Sequence, residues 1–556
     1  MKKYRWNICL LIVLVMFQLS AWAQNSVDAV VFRAMQDELQ RNKEQLKLPG
    51  YEPPFFLAYS LKVVSNFEIV GSLGAVTNSF FQDRSVVGNV RLLTGDYHRT
   101  NDFMYEGGDG IRTTLPADLD YNEIRRNFWM ATDAAYKLAL QQYASKQAYL
   151  KSNPKSVEEE QVDDFSNQKV TDRIIAEEPA FRLDQKFWEN QIARLSAVFS
   201  KYSQLQNSSV TVAGLNSMIY KINSDGLKMK EPLSQVTLSA TASVVACDGV
   251  RLRDNWSLTV AAPQDLPNVE ELEKQITEFA ENLIRLSELE PIKEYYAGPV
   301  LFERGACVQV FRDNLLRPGQ LMAWRKPEGK PGRLTFDGRI ERKILDGRLT
   351  VKNCTALKTY NGTPLLGAYE VDAEGIVPEK ELILVENGIL RRQLNGRIPT
   401  LKAPLSTGSS RFSLKPDQVG FATAPGTIHI AGKDGLKPEK MKKALLKAAA
   451  EENLKYAYIV RKMAGQASLI YRVDTRTGEE TQVRAGDFAG IDLMKLKRLR
   501  EISVREQVVN YLFNGQQPSS VICPEAVLME DVEMNIPQLR KEKEDALTFP
   551  LQRTEK

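Results

Sequence analysis

Tyr296-Ala297-Gly298-Pro299-Val300-Leu301-Phe302-Glu303 marks the point where the texture of this chain changes. Downstream of it, glycines multiply and short apolar runs are separated by Asn361-Gly362, Glu374-Gly375, Asn387-Gly388 and Asn395-Gly396. Such dipeptides between short strands predict hairpins, hence a β-rich domain. One helix is expected there, from Pro438 to about Glu452, with Pro and Glu in its first turn.

Upstream, the chain reads twice as strands followed by a helix. In the first block, Val27, Val31, Met35 and Leu39 recur every four residues and share a helical face. Phe67, Ile69 and Leu73 then alternate with polar or small residues, and Val86–Leu93 is a second extended run ending at Thr94-Gly95-Asp96. A long helix is expected from about Asp118, with Ile124, Phe128, Ala131, Ala135 and Leu138 on one face. In the second block Val236, Leu238, Ala240 and Ala242 alternate, as do Trp256, Leu258 and Val260. Val269, Leu272, Ile276, Phe279 and Leu283 then keep helical spacing. Residues 152–168, with Glu158-Glu159-Glu160 and Asp163-Asp164, read as a solvated connector or exposed helix turn. The predicted class is α+β: N-terminal α/β units of antiparallel meander plus amphipathic helix, and a β-rich C-terminal domain. The expected divisions are 1–23, 24–150, a polar connector over 151–180, a second block over 181–295, and 296–556.

The first 23 residues predict a secretory signal peptide. Lys2, Lys3 and Arg5 precede an apolar run from Cys9 to Leu19, and Ala21-Trp22-Ala23 is a small-x-small cleavage site. The run is short for a membrane span, so a periplasmic or secreted mature chain beginning near Gln24 is expected, with no later span. Removing the signal leaves 71 basic against 70 acidic residues. Near-neutrality gives no electrostatic case for nucleic-acid binding. A composition 43% hydrophobic and 26% charged is that of an ordinary globular protein. Cys247, Cys307, Cys354 and Cys523 form no C-x-x-C pair. One pair could bridge in an oxidising compartment without the spacing saying which, and buried small hydrophobes are the plainer reading.

Several chemistries are absent. His98 and His429 are the only histidines, so H-E-x-x-H cannot occur. There is no G-x-S-x-G elbow, no G-x-x-x-x-G-K-[ST] and no G-x-G-x-x-G. Ser406-Thr407-Gly408-Ser409-Ser410-Arg411 is a small polar segment, either an oxyanion or peptide loop or a plain connection. Asp372 and Glu374, if on a strand, would face one side. They could then act as acid and base or hold a cation; a polar strand end turning at Gly375 is the alternative.

Taken in order, several segments resemble the TldD/PmbA family of metallopeptidases and their non-catalytic partners. They are Tyr296–Glu303, Val371-Asp372-Ala373-Glu374-Gly375, Val385-Glu386-Asn387-Gly388-Ile389-Leu390, Ser406-Thr407-Gly408-x-x-Arg411, Tyr471-Arg472-Val473-Asp474, Thr477-Gly478-Glu479-Glu480 and Ser519-Ser520-Val521-Ile522-Cys523-Pro524. The resemblance is to a longer, secreted branch and covers roughly 28–535. It implies an N-terminal α/β domain and a β-rich C-terminal domain enclosing a cavity in a two-subunit assembly. Its catalytic subunit is similar to a zinc peptidase in which H-E-x-x-x-H follows an apolar strand like Pro299-Val300-Leu301 and a distant cysteine completes the site. Here Phe302-Glu303-Arg304-Gly305-Ala306-Cys307 falls on that motif, and only Glu303 matches. One carboxylate and one thiol are too few donors for zinc. The resemblance therefore implies a non-catalytic, degenerate subunit that needs no cofactor and dimerises with itself or a relative. By the same resemblance Asp372, Glu374, Gly375, Thr407, Gly408 and Arg411 border a peptide groove, the two glycines serving turns and Arg411 a peptide carboxylate. Two alternatives stay open: an active metallopeptidase using zinc through Glu303 and Cys307, and an envelope module that binds peptide or glycan.

Overall fold

The structure, a computed structural model, describes residues 27–538 apart from 104–109, 177–180, 182, 329, 466, 485 and 490. The expected signal peptide lies outside the described residues. The first helix, α1, covers 27–45 and buries Val31 and Met35, while Val27 points outward. Strands β1 (Phe56–Ser72), β2 (Ala75–Leu93) and β3 (Ile111–Leu115) follow, then helix α2 (Tyr121–Ser152). Asp120 starts α2 by accepting the Asn122 and Glu123 N–H groups, donors that no helical carbonyl can reach. The helix buries Ile124, Phe128, Ala131, Ala135 and Ala139, whereas Leu138 stays exposed.

Helix α3 (Val157–Glu160) carries a Ser156–Glu159 capping box and its glutamates face solvent. The segment just after it departs from the surface reading: Asp164, Phe165 and Ser166 are buried. Asp164 is drawn inward by Lys146, 2.5 Å away, and Arg325, 2.5 Å away, which replace the water it gives up.

Strand β4 (Arg173–Ile174), helix α4 (Gln185–Ala197), strands β5 (Leu205–Asn223), β6 (Lys228–Val245) and β7 (Arg251–Val260), and helix α5 (Val269–Glu288) complete the second block. The two blocks join in one sheet, ordered β3-β2-β1-β5-β6, with β4 and β7 also on β6. The β1–β5 seam runs antiparallel from Ala58↔Asn223 to Gly71↔Val210. Helices α1 and α2 cover one end of a face through Tyr59, Leu61 and Phe128. Helices α4 and α5 cover the other end through Ile192, Phe279, Ile69 and Val212. The sheet's opposite face packs on the C-terminal domain through Ile219, Met229, Ala373 and Phe412. With both faces covered, the first half of β1 buries seven residues in succession rather than alternating.

The C-terminal domain contains two larger sheets. One is ordered Ile389–Leu390, Leu382–Glu386, Leu349–Asn353, Thr427–Gly432, Gln517–Pro524, Glu506–Phe513. The other centres on β8 (Tyr296–Glu303), flanked by Tyr456–Lys462 in parallel and Ala526–Asn535 antiparallel. β8 alternates as a strand should: Val300 and Phe302 enter the core between the sheets, and Leu301 meets Met441 and Leu445 of helix Pro438–Glu451 on the other side. Asn361-Gly362 and Asn387-Gly388 turn tight hairpins, both pairs left-handed. A further helix, α6 (Arg304–Leu315), leads directly out of β8 and buries Ala306, Cys307, Val310 and Phe311. Among the described residues no helix is long and apolar enough to cross a membrane.

Candidate functional site

The β8–α6 junction is a sharp turn. Arg304 has φ 51°, a left-handed conformation rare for a residue with a β-carbon. Its N–H donates to the Glu525 carbonyl at 2.9 Å, and the Arg304 carbonyl accepts from Gln507 Nε2 at 3.0 Å. Phe302 is fully buried with its ring against Phe488. The Glu303 carboxylate accepts from Arg461 Nε at 3.1 Å, and Arg461 also reaches Glu480 at 2.9 Å. The Cys307 thiol donates to the Pro524 carbonyl at 3.2 Å and meets the Cys523 thiol. Burial and the neighbouring thiol push Cys307 up, toward its neutral form. All four described cysteines are free thiols.

These residues do not fit the zinc of the alternative reading, with Glu303 and Cys307 as ligands. Glu303 is held by a guanidinium, the thiol favours its proton, and among the described residues no three His, Cys, Asp or Glu side chains converge to hold a metal ion. Cys523 is the residue that sequence reasoning left unmatched. It lies on Gln517–Pro524 of the first of the two C-terminal sheets, opposite Gln507, and the packing of α6 against that strand brings it to Cys307.

Asp372 and Glu374 lie in a turn and not on a strand. Both are buried. Asp372 shapes the turn by accepting the N–H groups of Glu374 and Ile376, each at 2.9 Å, and of Ser410 at 3.0 Å. Burial and then the adjacent Glu374 charge push its carboxyl up to about 7. Glu374 is held below the usual carboxylate range, against its burial, by Arg91, Lys221 and Arg397. It accepts from Arg91 Nη1 at 3.2 Å, the Arg397 N–H at 3.0 Å and Ser410 Oγ at 2.7 Å.

Lys221 donates to the Ala373 carbonyl at 2.6 Å, and burial pulls its ammonium down to about 8. Lys62 likewise reaches the carbonyls of Ser413 and Lys415 from β1. Three basic side chains of the N-terminal sheet thus insert into C-terminal turns. Their only sequence signal is a basic residue inside an apolar run, as in Leu61-Lys62-Val63 and Val90-Arg91-Leu92.

The segment after Leu405 is braced internally. Thr407 Oγ1 accepts the Asn395 N–H at 2.8 Å. Gly408 has φ 70°, and a β-carbon there would lie 2.8 Å from the Pro378 nitrogen. Arg411 is buried, donates to the Gly367 and Pro518 carbonyls, and lies 4.0 Å over the Tyr369 ring. Its guanidinium is committed to backbone and ring rather than presented to a ligand. Gly375, φ 84°, packs against Leu227 and Val170.

A cavity of about 230 Å³ opens beside this cluster, walled by Arg91, Lys146, Asp164, Arg325, Glu374 and Arg397 among others. Of the groove residues expected from sequence, Glu374 alone lines it; Asp372, Gly375, Thr407, Gly408 and Arg411 stand behind the wall. Arg397 donates twice to the Ser166 carbonyl and lies 4.0 Å over Phe165, joining the wall to the buried part of the connector. His98 pairs with exposed Asp163, and His429 with Glu506.

Solved structures share this architecture. TldE from Thermococcus kodakarensis superposes with a TM-score of 0.56 at 12% identity, over 90% of this chain and 99% of that one. The chain has the TldD/PmbA fold. A candidate modulator of a DNA gyrase from Thermotoga maritima matches at 0.53 and 14% identity, over 90% of this chain and 100% of its own. A candidate modulator of DNA gyrase from Bacteroides thetaiotaomicron matches at 0.53 and 13% identity, over 92% and 99%. No protein-family model and no curated protein matches the sequence. The TldD/PmbA fold therefore emerges from shape at identities too low to carry function across.

Proposed function

We propose that this chain is an exported, non-catalytic subunit of the TldD/PmbA type that pairs with a catalytic relative around a peptide-binding chamber. The observation that carries this reading is the Glu303–Arg461 pair. Where the resemblance expects a glutamate beside two imidazoles, the carboxylate is neutralised by a guanidinium at 3.1 Å. A base needs a free lone pair, and a zinc site needs three or four protein donors. The flanking positions carry a buried ring, Phe302, and a buried thiol, Cys307.

The cavity beside Glu374 supports the binding half of the reading. Its wall mixes guanidinium, ammonium and carboxylate groups with the Trp324 ring. That mixture suits the charged ends and amides of a short peptide better than a polyanion. Co-expression with a motif-bearing relative, followed by light scattering, tests the pairing. A complex with the summed mass is expected, and two separate species would refute it. Export is tested on the same material: the envelope fraction should yield a chain whose first residue is at or near Gln24.

A rival reading, an active peptidase with Glu303 and Cys307 as ligands, gains a second thiol from Cys523 but must first displace Arg461. Stoichiometric zinc lost in Cys307→Ser would favour it.

A further inference from the structure

Indole and guanidinium groups donate hydrogen bonds and accept none, and a buried donor without an acceptor keeps its whole desolvation penalty. Three such donors belong to side chains that line the cavity beside Glu374. Arg91 Nη2, Arg397 Nη1 and Trp324 Nε1 are buried and have no hydrogen-bond acceptor among the described residues. Other contacts hold each side chain in place. Arg91 Nη1 donates to Glu374 at 3.2 Å. Arg397 commits Nε and Nη2 to the Ser166 carbonyl, with Nη2 also 2.8 Å from Asp225. The guanidinium carbons of Arg91 and Arg397 lie 5.0 and 4.0 Å from the centroid of one ring, Phe165. Arg333 covers the Trp324 indole at 4.2 Å.

The carboxylates of the same wall are, with one exception, already answered. Glu374 accepts from Arg91, the Arg397 N–H and Ser410. Asp164 meets Lys146 and Arg325 and accepts the Thr100 N–H at 2.9 Å. Glu328 lies 3.3 Å from Lys155 and 3.7 Å from Lys146. Asp102 alone among them has a buried oxygen without a hydrogen bond, Oδ2, 3.6 Å from Arg91 Nη2. Three open donors against one open acceptor select a ligand group that accepts and does not donate, which excludes an amino terminus. Five cationic and four anionic side chains line the cavity, a surplus that a single negative charge cancels. A carboxylate has that charge and two acceptor oxygens for guanidinium and indole donors. Pro318, Met322 and Phe421 add apolar surface for the side chain beside it.

We propose that this cavity takes the C-terminal carboxylate of a peptide, with Arg91, Arg397 and Trp324 as its donors. The inference rests on the peptide-binding reading above and adds which end of the peptide enters. The donors come from three separate parts of the chain: strand β2, the turn after Asn395-Gly396, and the segment that follows α6. Their convergence makes the site a property of the packed domains and not of any one motif.

A mixed tripeptide library is prepared twice, once as free acids and once as C-terminal amides. Each pool is equilibrated with the full chain, and retained peptides are counted by native mass spectrometry. The acids should be retained about tenfold more than the amides, as loss of a charge-assisted hydrogen bond requires. Trp324→Phe keeps an aromatic ring and removes one donor, so it should lower retention of the acids several-fold and leave the amides as they were. Acid retention unchanged in that variant would overturn the assignment of the donors. Equal retention of acids and amides would overturn this inference and leave the peptide reading standing, whereas retention of neither pool would overturn both. Amides retained only when they contain Asp or Glu would move the carboxylate to a side chain and overturn the terminal assignment.

Discussion

At the scale of single residues, the junction between the N-terminal sheet and the C-terminal turns rests on charges removed from water. Arg91 and Glu374 are each about one-twentieth exposed, and each is the other's main counter-charge at 3.2 Å. Removing one partner leaves the other buried and uncompensated, at a typical cost of about 3–5 kcal/mol. Arg91→Ala should lower the urea midpoint accordingly, and adding Glu374→Gln to it should recover part of the loss; an unchanged midpoint in Arg91→Ala would show that the pair is solvated. His429 gives a second test, with a definite sign. Its folded pKa is raised from 6.5 to about 9. The folded state therefore holds the proton more tightly than the unfolded chain. The stabilisation is complete below about pH 6.5 and is lost as pH rises through 9. Denaturation midpoints measured from pH 6 to 9.5 should fall more steeply for the unaltered chain than for His429→Gln. None of these roles was legible in the sequence. A lysine or arginine in an apolar run announces that something unusual is buried, but not which turn it meets, and Asp164 looked like one more acid in a solvated connector until Lys146 and Arg325 were placed beside it.

At the scale of elements, legibility was high wherever the local pattern and the burial agreed. Helix α5 and strand β6 follow the expected apolar spacing because one face of each meets the core and the other meets water. The Asn387-Gly388 hairpin forms as expected because Gly388 is left-handed and a β-carbon there would lie 2.4 Å from the Leu345 carbonyl. Legibility failed where a turn, not a period, fixes geometry. For Asp372 and Glu374 the spacing left open a shared strand face and a polar strand end turning at Gly375, and the three N–H groups that Asp372 accepts close the turn. Helix α6 lies outside the one helix that the spacing led us to expect in this domain, because Glu303-Arg304-Gly305 lacks a capping signal and Glu303 makes no side-chain cap. Helix α2 provides the element-scale prediction. Asp120 carries its N-terminus from an exposed position, so Asp120→Ala should cost about 1 kcal/mol and Asp120→Asn should restore most of it, as read by chemical denaturation. Equal stability of all three would mean that tertiary packing alone sets the start of α2.

At the scale of the whole molecule, two sequence blocks that looked like successive units form a single sheet, joined by the β1–β5 pairing. Local periodicity cannot reveal such a seam, since long-range register depends on which edges meet. The fold that results matches solved structures over nine-tenths of the chain at 12–14% identity. At the β8–α6 junction of this chain Glu303 pairs with Arg461, and Cys307 with Pro524 and Cys523. The central claim of the proposed function is that this junction binds no catalytic metal, and zinc titration by calorimetry on protein purified without chelator tests it most directly. The account predicts no stoichiometric uptake by the unaltered chain, and uptake only when Phe302→His and Cys307→His are introduced together. One tightly held zinc per unaltered chain, lost in Cys307→Ser, would contradict it.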